Sequence, residues 1–574
     1  MKYLSQLVSR IIETDFLVIG GGLAGSFAGA ILGKKNIGRV VLVEKSRVGA
    51  SGQTVFLAGN WALKPNGMEL DEHTRASIEL GEYMNDPEWT RLLWKESESV
   101  TKLLDRWCEE VNLPAFQKEG KENFEWFEAR DGNIRSGYIH FNGRNLLVAL
   151  RKHLLKSNNV QVIERTQIQE FVCNPRDGRV VGAVGLETTS GDIVLVKSRY
   201  TIIAASGCGF KSAYQGYQNL TGDLQAAAFR AGISLRGLEF VFSSIGAKDH
   251  DIQGLNLLAR VVGGKLVNGL GEEFIDRYDP VLRYKSNLKT IILASAIEVS
   301  EGRGPIYLDL THVGPEERKT AREKWPREFA EWDLNRVDPF SARFEWMPYV
   351  YGTLAVGGGI HVNARCETNI PGVYAAGDVT AAPAQGTYGY SGGNVLFAAV
   401  SGKVAAENAE QMFKQELDHQ TQSEPWEEDV EEDAFKRIIE MVAPLKRKTG
   451  LSTGEAIENI QRIIIPYDVS LVKDENSLKV ALERAVDLHR KIESDLFAVD
   501  VHDLVKANEA RNMILLARLM IESAILRRES RGLHLRKDHP KADNDNWLKW
   551  VFVRRGSLDN LDPSFSVVTA IHQA

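Results

Sequence analysis

The feature that most restricts this chain is the run Gly20-Gly21-Gly22-Leu23-Ala24-Gly25, set directly after the apolar stretch Asp15–Gly20. An unbroken apolar run ending at glycine reads as a strand buried on both faces. Small residues from Leu23 to about Leu32 read as the following helix, and Val40–Val43 as a second buried strand. A G-x-G-x-x-G at such a turn has few structural solutions. Gly20 permits the tight turn, Gly22 lets the backbone approach a pyrophosphate, and Gly25 lets the helix pack closely on the strand. The helix start offers free N–H groups and positive partial charge to phosphates. Glu44 ends the second strand, nineteen residues after Gly25, where a carboxylate accepts from ribose hydroxyls. The unit predicts a dinucleotide-binding domain, but by itself it serves FAD and NAD alike.

At 574 residues the chain exceeds a single hydrophobic core. Strands at Val160–Ile163, Ile168–Val172, Val180–Glu187 and Asp192–Val196, with a return strand Tyr200–Ala205, belong with the opening unit. Glu69 to about Val111 and Asn145–Lys156 have helical periodicity. From about Leu235 to Tyr351 the composition is mixed and charged, which suggests an insertion. The sheet pattern returns at Gly372–Gly377, before a small-residue helix from Asn394 to about Phe413. The expected division is 1–234 and 354–414 for the nucleotide-binding domain, with 235–353 inserted between them. An acidic linker (415–433), a helical domain (434–550) and a C-terminal extension (551–574) complete it.

Composition excludes several functions. A net charge of -7, from 70 basic and 77 acidic residues, gives no polyanion footprint, so nucleic acid is not an expected partner. The four cysteines, Cys108, Cys173, Cys208 and Cys366, form no Cys-x-x-Cys pair. That argues against zinc or an iron–sulfur cluster within the chain, and for reduced thiols in the cytoplasm. No apolar run approaches the ~20 residues that span a bilayer. The first fourteen residues lack the apolar core of a signal peptide.

Distant segments narrow the cofactor: Ser51-Gly52-Gln53-Thr54, Thr221-Gly222-Asp223, Ala375-Ala376-Gly377-Asp378 and Ser391-Gly392-Gly393-Asn394. Glu301-Gly302-Arg303-Gly304, Glu529-Ser530-Arg531-Gly532-Leu533-His534 and Asp545-Asn546-Trp547-Leu548-Lys549 follow in order. With these, nearly the whole chain resembles the succinate dehydrogenase/fumarate reductase flavoprotein family, whose superfamily includes L-aspartate oxidase and the adenylylsulfate reductase alpha subunit. The resemblance implies an α/β fold: a Rossmann-like FAD-binding domain, an inserted α+β capping domain and a C-terminal helical domain. It implies FAD as cofactor, held by Gly20, Gly22, Leu23, Ala24, Gly25, Glu44 and Lys45. Ser51, Gly52, Gln53, Thr54, Ala205, Asp223, Gly377 and Asp378 would extend that cradle, with Asn394, Val395 and Leu396 at a helix start. Asp378 would bond the ribityl chain, and the helix near Asn394 would face the flavin N1/O2 edge. Gln53 stands where respiratory members carry a histidine bonded to flavin, so FAD is expected to be non-covalent.

The substrate pattern breaks from the family. Phe242-Ser243-Ser244-Ile245 lacks the family's histidine, and Leu354-Ala355-Val356-Gly357-Gly358 lacks a second one. Tyr390 replaces an arginine in Tyr390-Ser391-Gly392-Gly393-Asn394. An arginine–carboxylate pair is bidentate and charge-assisted, and tyrosine cannot copy it. These losses argue against fumarate, succinate and L-aspartate as substrates. Arg260, which begins Arg260-Val261-Val262-Gly263-Gly264, stands where the family has its proton-delivering arginine. Arg260, Tyr351, Tyr390 and His534 are the candidate catalytic groups. Tyr349, Tyr388 and Ser391 are candidate substrate contacts, Glu239 reads as a structural buttress, and His312 and His361 as surface or turn residues. The expected activity is hydride or electron-pair exchange between a small organic substrate and flavin N5. An iron–sulfur partner subunit would carry the electrons. A stand-alone oxidase and an electron-transfer subunit without substrate chemistry are the alternatives, and the oligomeric state stays open.

Overall fold

The computed structural model describes residues 7–56, 58–120, 123–131, 134–212, 217–248, 262–324, 326–353, 357–389, 392–419, 426–557 and 560–569. Its central sheet begins with β1 (Arg10–Ile19), α1 (Leu23–Lys35) and β2 (Val40–Val43). It continues with β3 (Val160–Ile163), β4 (Thr166–Cys173), β5 (Val180–Glu187), β6 (Ile193–Ile203) and β7 (Val373–Ala375). The order is β3-β2-β1-β6-β5-β4, with β7 also pairing with β6. The pairs β1–β2, β2–β3, β1–β6 and β6–β7 are parallel, while β4–β5–β6 form an antiparallel meander. Phe16 to Ile19 are all buried, as a strand covered on both faces requires. One continuous β6 replaces the two expected strands Asp192–Val196 and Tyr200–Ala205; its pairing with β1 runs without a break from Arg10 to Thr14 and from Phe16 to Ile19.

Helix α1 packs against α3 (Gly393–Asp418) at close range. A Cβ at Gly402 would fall 2.5 Å from Ala24 O, so only glycine lets the two backbones approach. The same contact brings the starts of α1 and α3 to one side of the sheet. Ser401 Oγ accepts from Gly377 N at 2.9 Å and ties the end of β7 to α3.

The inserted region carries a four-stranded antiparallel sheet from Phe242–Ala247, Phe344–Gly352, Tyr307–Asp309 and Lys265–Val267, in that order. Another four-stranded sheet joins Gly359–Ile360, Leu235–Arg236, Lys549–Ser557 and Asn560–Thr569. Leu235 pairs with Val553 and Arg236 with Phe552, so the C-terminal extension is woven into the rest of the molecule. Of the C-terminal helices, α4 (Val501–Leu526) is buried on most of its surface and lies against α2 (Asp223–Arg230). The expected linker is shorter than its composition suggests: α3 runs to Asp418 and the next helix starts at Glu428.

Candidate cofactor and substrate site

A cavity of about 300 Å³ opens above the C-terminal ends of β1 and β2. Open parallel sheets place ligands at that position. Gly20 has φ +111° and a Cβ there would meet Ala204 O at 2.5 Å, so only glycine turns the chain into α1. At Gly25 a Cβ would lie 1.9 Å from Gly20 O, while at Gly22 it would meet nothing within 4 Å. The middle glycine thus faces open space, and the start of α1 has no side-chain cap. Its N–H groups are left for a ligand. Glu44 is held in place: Oε2 accepts from Gly21 N at 2.6 Å and Oε1 from Ser46 N at 3.0 Å.

Lys45, itself half-buried, begins a charge network at one end of the cavity. Its Nζ donates to Asn219 O, and to Thr221 Oγ1 at 3.3 Å. It lies 3.6 Å from Asp223 and 3.8 Å from Glu509. Burial opposes its charge, but Asp223, then Glu509 and Glu44, outweigh that and raise its pKa. Asp223 accepts from Gln167 at 2.7 Å, Thr221 at 2.8 Å and Asn512 at 2.9 Å. Burial pushes the Asp223 carboxyl up, yet Lys45 and these donors hold it below the usual range. Its carboxylate is saturated by protein, so Asp223 shapes the wall rather than offering a free acceptor.

At the other end, burial pushes the Asp378 carboxyl up to about 6. Gln53 accepts from Ser206 Oγ at 3.4 Å and hydrogen-bonds Tyr217. Gly392, φ +77°, starts α3; a Cβ there would meet Asn60 O at 2.3 Å. Asn394 Oδ1 is buried without a partner. Open space over Gly22, an uncapped α1 and this orphan oxygen fit a bound dinucleotide with a second ring system at the α3 end.

The structure lines the cavity with Gly20, Gly22, Leu23, Ala24, Glu44, Lys45, Ser51, Gly52, Gln53, Thr54, Ala205, Asp223, Gly377 and Asp378. Gly25 lies beneath the turn, and Val395 and Leu396 are buried in the first turn of α3. Sequence reasoning missed Thr166, Gln167, Thr188 and Asn219, and above all Val505 and Glu509 of α4, which also line it. Glu509 is bonded by Lys211 at 2.8 Å as well as facing Lys45. No distinct signal in the sequence marked this, because Asn508, Glu509 and Asn512 share α4 with His502, Asp503, Lys506, Arg511, Arg518 and Glu522.

On the substrate side, Arg260, Tyr390 and Ser391 lie outside the described residues, as does the side chain of Tyr351. Tyr349 donates its hydroxyl to Ala247 O at 2.8 Å, and its ring packs with Tyr217, Leu220 and Phe242. His534 is fully buried away from the cavity, and burial, then Lys473 and Arg527, holds its pKa well below the usual range. Glu239 bonds Arg527 at 2.8 Å, both side chains fully buried, a buttress as expected. His312 is exposed, and His361 is half-buried in the loop that follows Gly359–Ile360. It packs on Phe552, and burial with Arg236 and Arg554 pushes its pKa down to about 3. A further candidate is Gln385, 4% exposed, whose amide nitrogen and oxygen both lack partners. It sits in the segment joining Asp378 to α3.

Fold and cavity define a dinucleotide-binding protein. A model of the FAD binding domain matches residues 15–395, and one of the fumarate reductase flavoprotein C-terminal region matches 458–568. The chain belongs to the fumarate reductase/succinate dehydrogenase flavoprotein family and is an FAD-dependent oxidoreductase. It is 29% identical to an uncharacterized FAD-dependent oxidoreductase of Methanocaldococcus jannaschii, over 95% of this chain and 96% of that one. It is 26% identical to one of the subunits of the CoM/CoB fumarate reductase of Methanothermobacter marburgensis, over 97% and 99%. Among solved structures, E. coli quinol fumarate reductase matches with a TM-score of 0.84 at 19% identity over 98% of each chain, a likeness of fold.

Proposed function

We propose that this flavoprotein exchanges a hydride or electron pair with a small organic substrate that is not a dicarboxylate. On this reading it holds FAD without a covalent bond and trades electrons with an iron–sulfur partner subunit. The observation that carries the substrate reading is the strand Phe242–Ala247. It presents Ser243 and Ser244, and Ser243 Oγ donates to Tyr349 O at 2.6 Å. Neither hydroxyl supplies the positive charge that pairs with a second carboxylate. Gln385, with both amide groups unmet, suits a neutral polar substituent better than an anion.

FAD, when bound, supplies the redox chemistry at N5. The N–H groups at Leu23 and Ala24 would bind the pyrophosphate, and Glu44 the adenosine ribose. Asp378 would accept from a ribityl hydroxyl. The start of α3, through Asn394, Val395 and Leu396, would stabilise negative charge at the N1/O2 edge. Gln53 cannot form the carbon–nitrogen bond that a histidine makes to flavin. Arg260, or the hydroxyl of Tyr351 or Tyr390, would move the accompanying proton, while buried His534 would position the surrounding network. Two facts support an external electron partner. The M. marburgensis relative is named as part of a multi-subunit enzyme, and no cluster of three or more His, Cys, Asp or Glu among the described residues could hold a metal ion.

Three readouts on the purified native assembly test this reading. Acid precipitation should release all FAD. A small cluster-bearing chain should co-purify. Fumarate should leave the chemically reduced protein reduced; rapid reoxidation would refute the substrate reading.

A further inference from the structure

A second polar centre lies apart from the cofactor cavity, at the root of the inserted region. Glu239 precedes the strand Phe242–Ala247 by three residues, and Lys473 ends the short strand Val472–Lys473. Lys473 is 1% exposed. Its Nζ donates to Glu239 O at 3.1 Å and to His534 Nδ1 at 2.9 Å. The Nε2–H of His534 donates to Arg527 O at 3.3 Å. Glu239 Oε1 accepts from Arg527 Nε at 2.8 Å, but Oε2 is buried without a partner. A void of about 10 Å³ touches both Glu239 and Lys473, and its remaining wall is apolar, with Met520 and Ile521 of α4 on one side. One water needs ~10–15 Å³ and two or more polar partners.

We propose that this void holds one water bridging Glu239 Oε2 to Lys473 Nζ, and that Glu239, the water, Lys473 and His534 form a one-proton store gripping the root of the capping region. An ammonium has three donors. Glu239 O, His534 Nδ1 and the water accept them, and the water passes a hydrogen to Oε2. When Lys473 releases its proton to solvent, the water turns and donates to Nζ as well. Neither state leaves a buried group unmet, so the site exchanges a proton without rearranging its walls.

The surroundings place that exchange near neutrality. Burial disfavours the charged lysine, Glu239 opposes this, and Arg536 adds repulsion; together they bring Lys473 down to about 7. Arg536 is paired with Asp538, and Arg527 with Glu239 and Glu529. On adjoining helices Asp468 faces solvent and Lys289 is paired with Glu82. The unfolded chain keeps the lysine proton up to its ordinary value of 10.5, the folded chain only to about 7. Between those limits stability rises with pH.

Thermal unfolding of the holoprotein and of Lys473→Met from pH 6 to 10 tests the store. The Tm of the variant minus that of the parent should be highest at pH 6 and fall between about pH 7 and pH 10. A difference independent of pH would overturn it. A high-resolution crystal structure should show a water within ~3 Å of both Glu239 Oε2 and Lys473 Nζ; an empty void would overturn the bridge even if Lys473 titrates.

Discussion

The two ends of the cofactor cavity are built by opposite means. At the Lys45 end, Lys45, Lys211, Asp223 and Glu509 neutralise one another, and amides and hydroxyls take up the remaining acceptor sites of Asp223. At the Asp378 end a single half-buried carboxylate has no cation beside it among the described residues, under an inserted region whose first strand offers serines. A saturated network gives shape and rigidity, because each charge already has its partner. An unsaturated carboxyl gives a group whose charge state and partner are decided by the ligand. On the proposed binding mode the Lys45 end is therefore a fixed mould for the nucleotide, and the Asp378 end is the one left open to the reactive ring.

That contrast can be broken in order of expected effect. Gly25→Val would drive side-chain carbon into Gly20 O and dismantle the turn. FAD should be lost outright with about 3 kcal/mol of stability, read as flavin absorbance per protein and by urea unfolding. Full FAD retention would mean that the turn is not the mould. Lys45→Met leaves Asp223 without its cation and Glu509 with Lys211 alone among the described residues. Since Lys45 is partly solvated, a loss of about 1–3 kcal/mol is expected, with weaker FAD binding in reconstitution titrations. An unchanged affinity would uncouple α4 from the cofactor.

At the reactive end the sign reverses. In cofactor-free protein the Asp378 carboxyl is raised from 3.8 to about 6, so its stabilising protonated form is lost as pH rises through that window. Asp378→Asn should make the cofactor-free protein more stable than the parent at pH 7, by about 1–2 kcal/mol, and equal to it near pH 4. The same change should weaken FAD binding. A variant less stable at pH 7 would contradict the burial argument. The smallest effect belongs to Tyr349→Phe. Its hydroxyl bonds a backbone carbonyl of the inserted sheet, so turnover should change less than about twofold and stability by about 1 kcal/mol. A large fall in turnover would make Tyr349 a substrate contact.

The same division explains what was legible beforehand. The β1–α1 turn, Glu44, Gln53 and Asp378 were readable because each sits in a short motif whose backbone geometry is local. Glu509 was not: it lies more than 460 positions from Lys45 and looks like any polar residue of a long helix. The partial burial of His361 was hidden for a related reason. Its neighbours in sequence are ordinary turn residues, and its burial comes from Phe552, Arg236 and Arg554 of other segments. The break within the expected 192–205 strands vanished because pairing with β1 overrides a locally polar Lys197-Ser198-Arg199.

By itself, then, the sequence determined the dinucleotide turn and the family. These are matters of which residue stands at a local position, where covalent geometry and hydrogen-bonding capacity leave little choice. Tertiary structure alone decided that α4 lines the cavity, that Asp223 is saturated, and that Glu239 and Lys473, the latter bonded to His534, line a void of one water's size. Those depend on desolvation and on charges brought together from distant segments, and neither exists until the chain has folded.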